Sequence, residues 1–339
     1  MKEDALSFIA DTFKVTTCIG EEKLFQQLSV WELLNLRSDT ILGLADALYD
    51  QFGITSAFLE GVLDRYNIQT AGKEALEKYF GIDKPIKYFH AKTRHYSWPK
   101  GGAIAGLGSG NMHGIELDLD GHIDLADLEV ELERCLQERQ PVYTVVAVMG
   151  STEEGAVDRL SEIIKIRRKF QAKGLSFLVH ADAAWGGYFA TMLPRELVEP
   201  SFDMPVGFMP GAPKKADGFV PSLTLKNDTM EDMLALREAD SITVDPHKAG
   251  YIPYPAGSLV YRDGRMRFLV TWTSPYLSQG SAENIGVYGV EGSKPGAAAM
   301  STWLSNKTIG LNPDGYGRLL GEAAFTSARV SFLLWSLEY

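Results

Sequence analysis

Three short stretches concentrate the side chains able to do chemistry, and each closes an apolar, β-branched run. Gly150-Ser151-Thr152 follows Val142 to Met149, the block from His180 through Asp182 to Gly187 closes Ser176 to His180, and Asp245-Pro246-His247-Lys248 follows Ser241 to Val244. The ends of the expected strands thus offer hydroxyls, a carboxylate, imidazoles and a primary amine. An amine and a carboxylate that converge suit an aldehyde cofactor: the amine condenses with the aldehyde to an imine, and the carboxylate keeps the ring nitrogen protonated so that the ring withdraws electrons. Lys248 and Asp182 are the candidates for these two tasks. Taken singly, each has an ordinary reading. An acid after a strand usually caps a turn or helix, a lysine is seldom buried, and His90 and His113 read as core or loop histidines. It is their arrival together, at successive strand ends, that singles them out.

The elements that must position them alternate in type. Asp124 to Gln137 reads as an amphipathic helix, Val142 to Met149 as a buried strand, Asp158 to Lys173 as a helix and Ser176 to His180 as a strand. A helix from about Asp228 to Ala239 and strands at Ser241 to Val244 and Gly257 to Tyr261 follow an irregular insert, Pro194 to Pro221. This is the pattern of a mostly parallel sheet with helices on both faces, in which ligands lie at the carboxyl ends of the strands. The first ninety or so residues read as helical, with Ser29 as an N-cap and helical spacing from Ile41 to Phe52. Lys84 to Gly114, rich in aromatics, histidines and glycines, reads as loops placed for ligand contact.

Composition narrows the function. The 339 residues are 45% hydrophobic and 23% charged, ordinary values for a chain with a large core. Lys and Arg number 33 against 44 Asp and Glu, and a net charge of −11 disfavours nucleic acid or anionic membrane as partner. Cys18 and Cys135 stand alone, outside any CxxC or Cys/His cluster, so disulfide scaffolds and thiolate metal sites are not expected. The start lacks a secretory pattern, and no apolar run approaches the ~20 residues of a membrane helix, so a cytoplasmic setting is expected.

The chain resembles the group II pyridoxal 5'-phosphate (PLP)-dependent amino acid decarboxylases of PLP fold type I, and the bacterial-type tyrosine decarboxylases among them. The resemblance rests on Lys92-Thr-Arg-His95-Tyr-Ser-Trp98-Pro-Lys100, Gly150-Ser-Thr-Glu-Glu-Gly-Ala-Val-Asp158, His180-Ala-Asp-Ala-Ala184, Asp245-Pro-His-Lys-Ala-Gly-Tyr-Ile-Pro-Tyr254 and Glu291-Gly-Ser-Lys-Pro-Gly296, in the family's order across roughly Ser29 to Gly317. It implies an α/β fold, the PLP-transferase large domain, and roles residue by residue. Lys248 would be the Schiff-base lysine and Asp182 the partner of the pyridinium nitrogen. His95 would stack on the ring face, Ala184 would pack behind it and Thr152 would lie near the phenolic oxygen. His247 would approach the phosphate, and Tyr254 would protonate the substrate carbon after carbon dioxide leaves. No metal is implied.

The resemblance further implies three parts: a helical segment at 1–83, the PLP-binding large domain at 84–317, and at 318–339 the start of a helix toward a C-terminal domain. The Ser/Thr-Gly-Gly-Thr phosphate loop that the family carries upstream, and its C-terminal small domain, have no counterpart in these residues, so the chain reads as the central large-domain segment. The expected function is decarboxylation of an aromatic L-amino acid, tyrosine first, to amine and carbon dioxide by a homodimer, with Val270 to Gly296 reaching the other subunit's site. Alternatives are a non-catalytic homologue acting as an interaction subunit, and a PLP decarboxylase for glutamate or aspartate. A nicotinamide dehydrogenase ranks lower, because Gly106-Leu-Gly-Ser-Gly110 lacks the GxGxxG spacing.

Overall fold

A computed structural model describes residues 3–198, 220–269 and 294–337. The centre is a six-stranded sheet built from β3 (Lys87–Ala91), β4 (Met112–Ile115), β5 (Val142–Val148), β6 (Leu178–Asp182), β7 (Ser241–Val244) and β8 (Ser258–Tyr261), in the order β4-β3-β5-β6-β7-β8. All neighbours are parallel except β7 and β8, which pair antiparallel. A small antiparallel hairpin, β1 (Lys14–Thr16) with β2 (Glu22–Leu24), precedes the sheet. The expectation of a mostly parallel α/β sheet holds.

β5, Val-Tyr-Thr-Val-Val-Ala-Val, shows why a near-continuous apolar run forms here: six of its seven side chains are buried because helices cover both faces. Two of these helices are α8 (Leu125–Glu138) and α9 (Leu160–Gln171). α8 starts where Asp124 accepts from the amides of Ala126 (2.8 Å) and Asp127 (3.2 Å), and it buries Leu128, Leu132 and Cys135 at helical spacing. α9 buries Leu160, Ile163, Ile164 and Phe170 in the same core as Val145 and Val179. Each such fully buried aliphatic contributes roughly 1.5–3 kcal/mol.

Residues before the sheet form six short helices, α1 (Val30–Leu34), α2 (Ser38–Leu42), α3 (Leu44–Phe52), α4 (Ser56–Leu63), α5 (Ile68–Ala71) and α6 (Lys73–Phe80). They enclose a separate small core of Leu6, Ile9, Phe13, Leu28, Leu48 and Ile54. This segment is clipped to the sheet by Asn35 Oδ1, which accepts the Ser176 amide (2.8 Å), and by Ser38 Oγ, which donates to Asp240 (3.3 Å). Up to β3 the regular elements are thus helical apart from the hairpin.

The loop reading of Lys84 to Gly114 is corrected: these residues hold β3, helix α7 (Ser97–Ile104) and β4. β3 lies inside the sheet although it carries Lys87 and His90, and His90 is fully buried. Glycines disguise α7. A Cβ on Gly102 would come within 2.7 Å of the Met112 side chain, which would then have to shift, so the helix lies close against β4. The remaining α-helices among the described residues are α10 (Asn227–Ala235), α11 (Ala297–Ile309) and α12 (Tyr316–Leu337). The division drawn after residue 317 falls inside α12, and most of Val270 to Gly296 lies outside the described residues.

Candidate active site

The order of the sheet dictates where a site can form. The chain runs from β3 outward to β4 and then returns to place β5 on the other side of β3, so the connections diverge between β3 and β5. Open α/β sheets hold ligands at such a divergence, beyond the carboxyl ends of the strands. A cavity of about 230 Å³ lies there. Four parallel strand ends line it: His95 and Trp98 come from after β3, Ser151 and Thr152 from after β5, Asp182 and Ala184 from β6, and Asp245 and Lys248 from after β7.

Close backbone packing sets the walls. Gly186 lies so near the Met149 carbonyl that a Cβ would sit 1.8 Å from the oxygen, and Gly150 takes a φ of +102° against the same turn. The turn after β6 is thereby locked to the turn after β5, and Trp185 projects from it beside the cavity. The Ser151 loop folds back through amide bonds from Gly150 and Ser151 to the Ala156 carbonyl (3.0 and 2.9 Å). Beneath it Asp158 accepts from the amides of Ile123 and Val148 (both 2.6 Å), and burial pushes its carboxyl up to about 6.

Lys248 stands on a tight turn, its amide bonded to the Asp245 carbonyl (2.9 Å). From behind, Tyr316 of α12, fully buried, donates its hydroxyl to the Gly250 carbonyl (2.9 Å). The lysine Nζ is 3.1 Å from Asp245 Oδ2 and 5.5 Å from the centre of the Trp185 ring, an ion pair and a cation–π contact. Asp182, half-buried, accepts from Trp98 Nε1 at 2.9 Å, and the Ala184 amide stands 3.5 Å from its other oxygen. Behind Trp98, His180 is held by Ser241 Oγ (2.8 Å) and Thr243 Oγ1 (3.1 Å), and burial pushes its imidazole down to about 4, so the ring is neutral.

Of the residues singled out from sequence, Lys248, Asp182, His95, Ala184 and Thr152 come together on this cavity. His95 is exposed at the rim, its Nδ1 2.8 Å from Ser97 Oγ. His247 and Tyr254 do not line the cavity; their rings stack on each other at 3.9 Å, with His247 Nε2 3.7 Å from Asp245 and Tyr254 74% exposed. His90 and His113 also lie off the cavity lining. Sequence reasoning missed Trp98, Asp245 and Trp185 as site residues. Asp245 precedes Lys248 by three residues, a spacing that brings side chains together on one turn and could have marked it.

Residues 32–199 match the family described as pyridoxal-dependent decarboxylase conserved domain. The chain belongs to that family, the group II PLP-dependent decarboxylases. Within it, the chain is 32% identical over 317 residues to an L-tyrosine decarboxylase of Enterococcus faecium, covering 93% of this chain and 49% of that protein. It is 33% identical over 315 residues to an L-tyrosine decarboxylase of Levilactobacillus brevis, covering 92% and 47%. The crystal structure of mouse CSAD shares the fold, with a TM-score of 0.57 at 22% identity over 81% of this chain and 48% of that one. The chain spans about half the length of the curated relatives it matches.

The family's cofactor can be tested against the residues present. Pockets for drug-sized ligands run to about 300–1,000 Å³, so this smaller cavity suits a single substituted ring. It presents one amine, two carboxylates of which Asp182 has an oxygen left open, the small Ala184 that leaves room for a flat ring, and five hydroxyls. That donor set fits PLP.

Proposed function

We propose that this chain holds PLP on Lys248 and forms the core of a decarboxylase for an aromatic L-amino acid, tyrosine first, acting as a homodimer in the cytoplasm. The observation that carries the reading is the convergence of Lys248 and Asp182, from adjacent parallel strand ends, on one cavity of single-ring size. When bound, PLP supplies an electron sink for the pair left by the departing carboxylate.

The residues divide the remaining work. Lys248 is the nucleophilic amine, and Asp245 Oδ2, 3.1 Å away, orients it toward the cavity. Asp182 holds a proton at the ring nitrogen. Ala184 and His95 would flank the ring, and Thr152 would offer it a hydroxyl. By the family resemblance His247 would serve the phosphate and Tyr254 would return a proton to the substrate carbon, although both stand off the lining of the cavity itself. The relatives named as L-tyrosine decarboxylases support the substrate class. Exposed apolar side chains on α11 and α12, among them Trp303 and Phe332, support a partner surface. Residues 1–83, 84–317 and 318–339 are proposed as the helical lead, the cofactor-binding unit and the start of a further helix. Among the described residues no helix is long and apolar enough to cross a membrane.

The test is titration of the purified chain with PLP, borohydride reduction, and peptide mapping. A single pyridoxyl label on Lys248, abolished completely by Lys248→Ala with an unchanged circular dichroism spectrum, is expected. Labelling spread over surface lysines would refute the site. Carbon dioxide release from tyrosine, dopa, tryptophan, glutamate and aspartate then ranks the substrates, and preference for an acidic one would refute the aromatic assignment.

A further inference from the structure

Asp182 is a carboxylate of the cavity with one oxygen fixed by an indole donor, and that donor is held in turn. Trp98 Nε1 meets Asp182 Oδ2 at 2.9 Å. The indole packs edge-on against His180, with 5.2 Å between ring centres and 65° between planes. His180 cannot turn, because both its ring nitrogens meet hydroxyls of β7, at Ser241 and Thr243. The result is a chain of contacts from β7 through His180 and Trp98 to Asp182. Among the described residues the other oxygen of Asp182 has only the Ala184 amide as a hydrogen-bond donor, at 3.5 Å, too long to occupy it. Trp98 also opens α7 together with Ser97, the residue that holds the His95 ring, so one helix start braces both the carboxylate and the imidazole of the cavity.

We propose that Trp98 is a positioning residue for Asp182: its indole N–H fixes one carboxylate oxygen so that the other is presented to the pyridine nitrogen of the cofactor. The inference rests on the cofactor reading above and adds a residue to it. In this role Trp98 acts through Asp182. A neutral donor suits the task, since an arginine or lysine there would offset the negative charge that the ring nitrogen needs opposite it.

Two measurements test the proposal. The first needs no cofactor. The chain has six tryptophans, and the indole N–H of the one bonded to a carboxylate resonates downfield in a two-dimensional ¹⁵N–¹H spectrum. Asp182→Ala, which leaves every tryptophan in place, should move that cross-peak upfield, and Trp98→Phe should remove the same one. The second is a double-mutant cycle on PLP binding, with borohydride labelling of Lys248 as the control. Trp98→Phe, which keeps a ring against His180, should weaken binding about tenfold, as expected for a hydrogen bond to a charged group. In the Asp182→Ala background the same change should add less than about twofold, whereas a residue that merely packs would cost the same in both. A cross-peak that ignores Asp182→Ala, or equal costs in both backgrounds with Lys248 still labelled, overturns the role of Trp98. Absence of label on Lys248 in the unaltered chain overturns the cofactor reading and the inference with it.

Discussion

Two aspartates at opposite ends of the same pair of strands show how one residue type is put to different uses. Asp240 enters β7, and Asp182 closes β6, roughly 10 Å away at the strand rise of about 3.3 Å per residue. Asp240 is buried and saturated: it accepts from Arg167 (2.7 Å), Arg262 (3.1 Å), the Val179 amide (2.8 Å) and Ser38 (3.3 Å). Asp182 is half-buried, carries one short bond from Trp98 and faces a cavity. A carboxylate with every lone pair occupied can only hold the fold. One with an oxygen to spare can bind something. Asp232 belongs with Asp240, since it is buried and bonded to Arg159 and Ser161.

The largest stability change that would break the comparison is expected at Asp240. Asp240→Ala leaves the half-buried guanidinium of Arg167 and the Val179 amide without their partner, and removal of one member of a buried pair typically costs about 3–5 kcal/mol. Urea unfolding at neutral pH should show this loss, while pyridoxyl labelling of the fraction that remains folded stays on Lys248. A loss under about 1 kcal/mol would show that Asp240 is not the strut that its bonds suggest.

The difference between these acids was only partly legible in the sequence. Asp182 follows an apolar run and precedes small residues, so its place at a strand end could be read from the strand pattern and its role from the family motif. The bonds of Asp240 come from Arg167, Arg262 and Ser38, and nothing local in a sequence reports contacts so distant along the chain. The same limit explains the other misreadings. β5 announced itself as seven nearly all-apolar residues, whereas β3 is a buried strand containing lysine and histidine, defined by its neighbours rather than by its own composition. Nothing local in the sequence marked Trp98, because its function depends on a bond to a residue 84 positions away. Lys248 and Asp182 were found because strand ends are where chemistry collects in this fold, which is a property of topology that alternating strands and helices do reveal.

His180 lies between the two acids on β6 and carries a pH signature of intermediate size. Its imidazole is held near 4 by burial, against an ordinary value of 6.5. The unfolded chain therefore binds a proton there between pH 6.5 and 4 that the folded chain refuses. The stability this histidine contributes is present above pH 6.5 and is lost as pH falls toward 4. The gain in unfolding free energy from pH 5 to pH 7 should shrink by about 2 kcal/mol in His180→Gln. His90, also held near 4 by burial, keeps its own share in that variant, so the slope should be reduced rather than abolished. An unchanged slope would mean that His180 is not shielded as its burial suggests.

Asp182 should show the smallest stability change and so sharpen the comparison most. Asp182→Ala removes the acceptor of one indole N–H at a half-buried site and leaves no buried charge behind, so the expected cost is about 1 kcal/mol or less by urea unfolding. The same variant should lose affinity for PLP and any turnover that depends on it. Asp240→Ala should do the reverse, unfolding readily while its folded fraction still takes the label. If Asp182→Ala proved as destabilising as Asp240→Ala, the oxygen it leaves facing the cavity would have a structural partner after all, and the distinction between saturated and open carboxylates would fail at the residue for which it matters most.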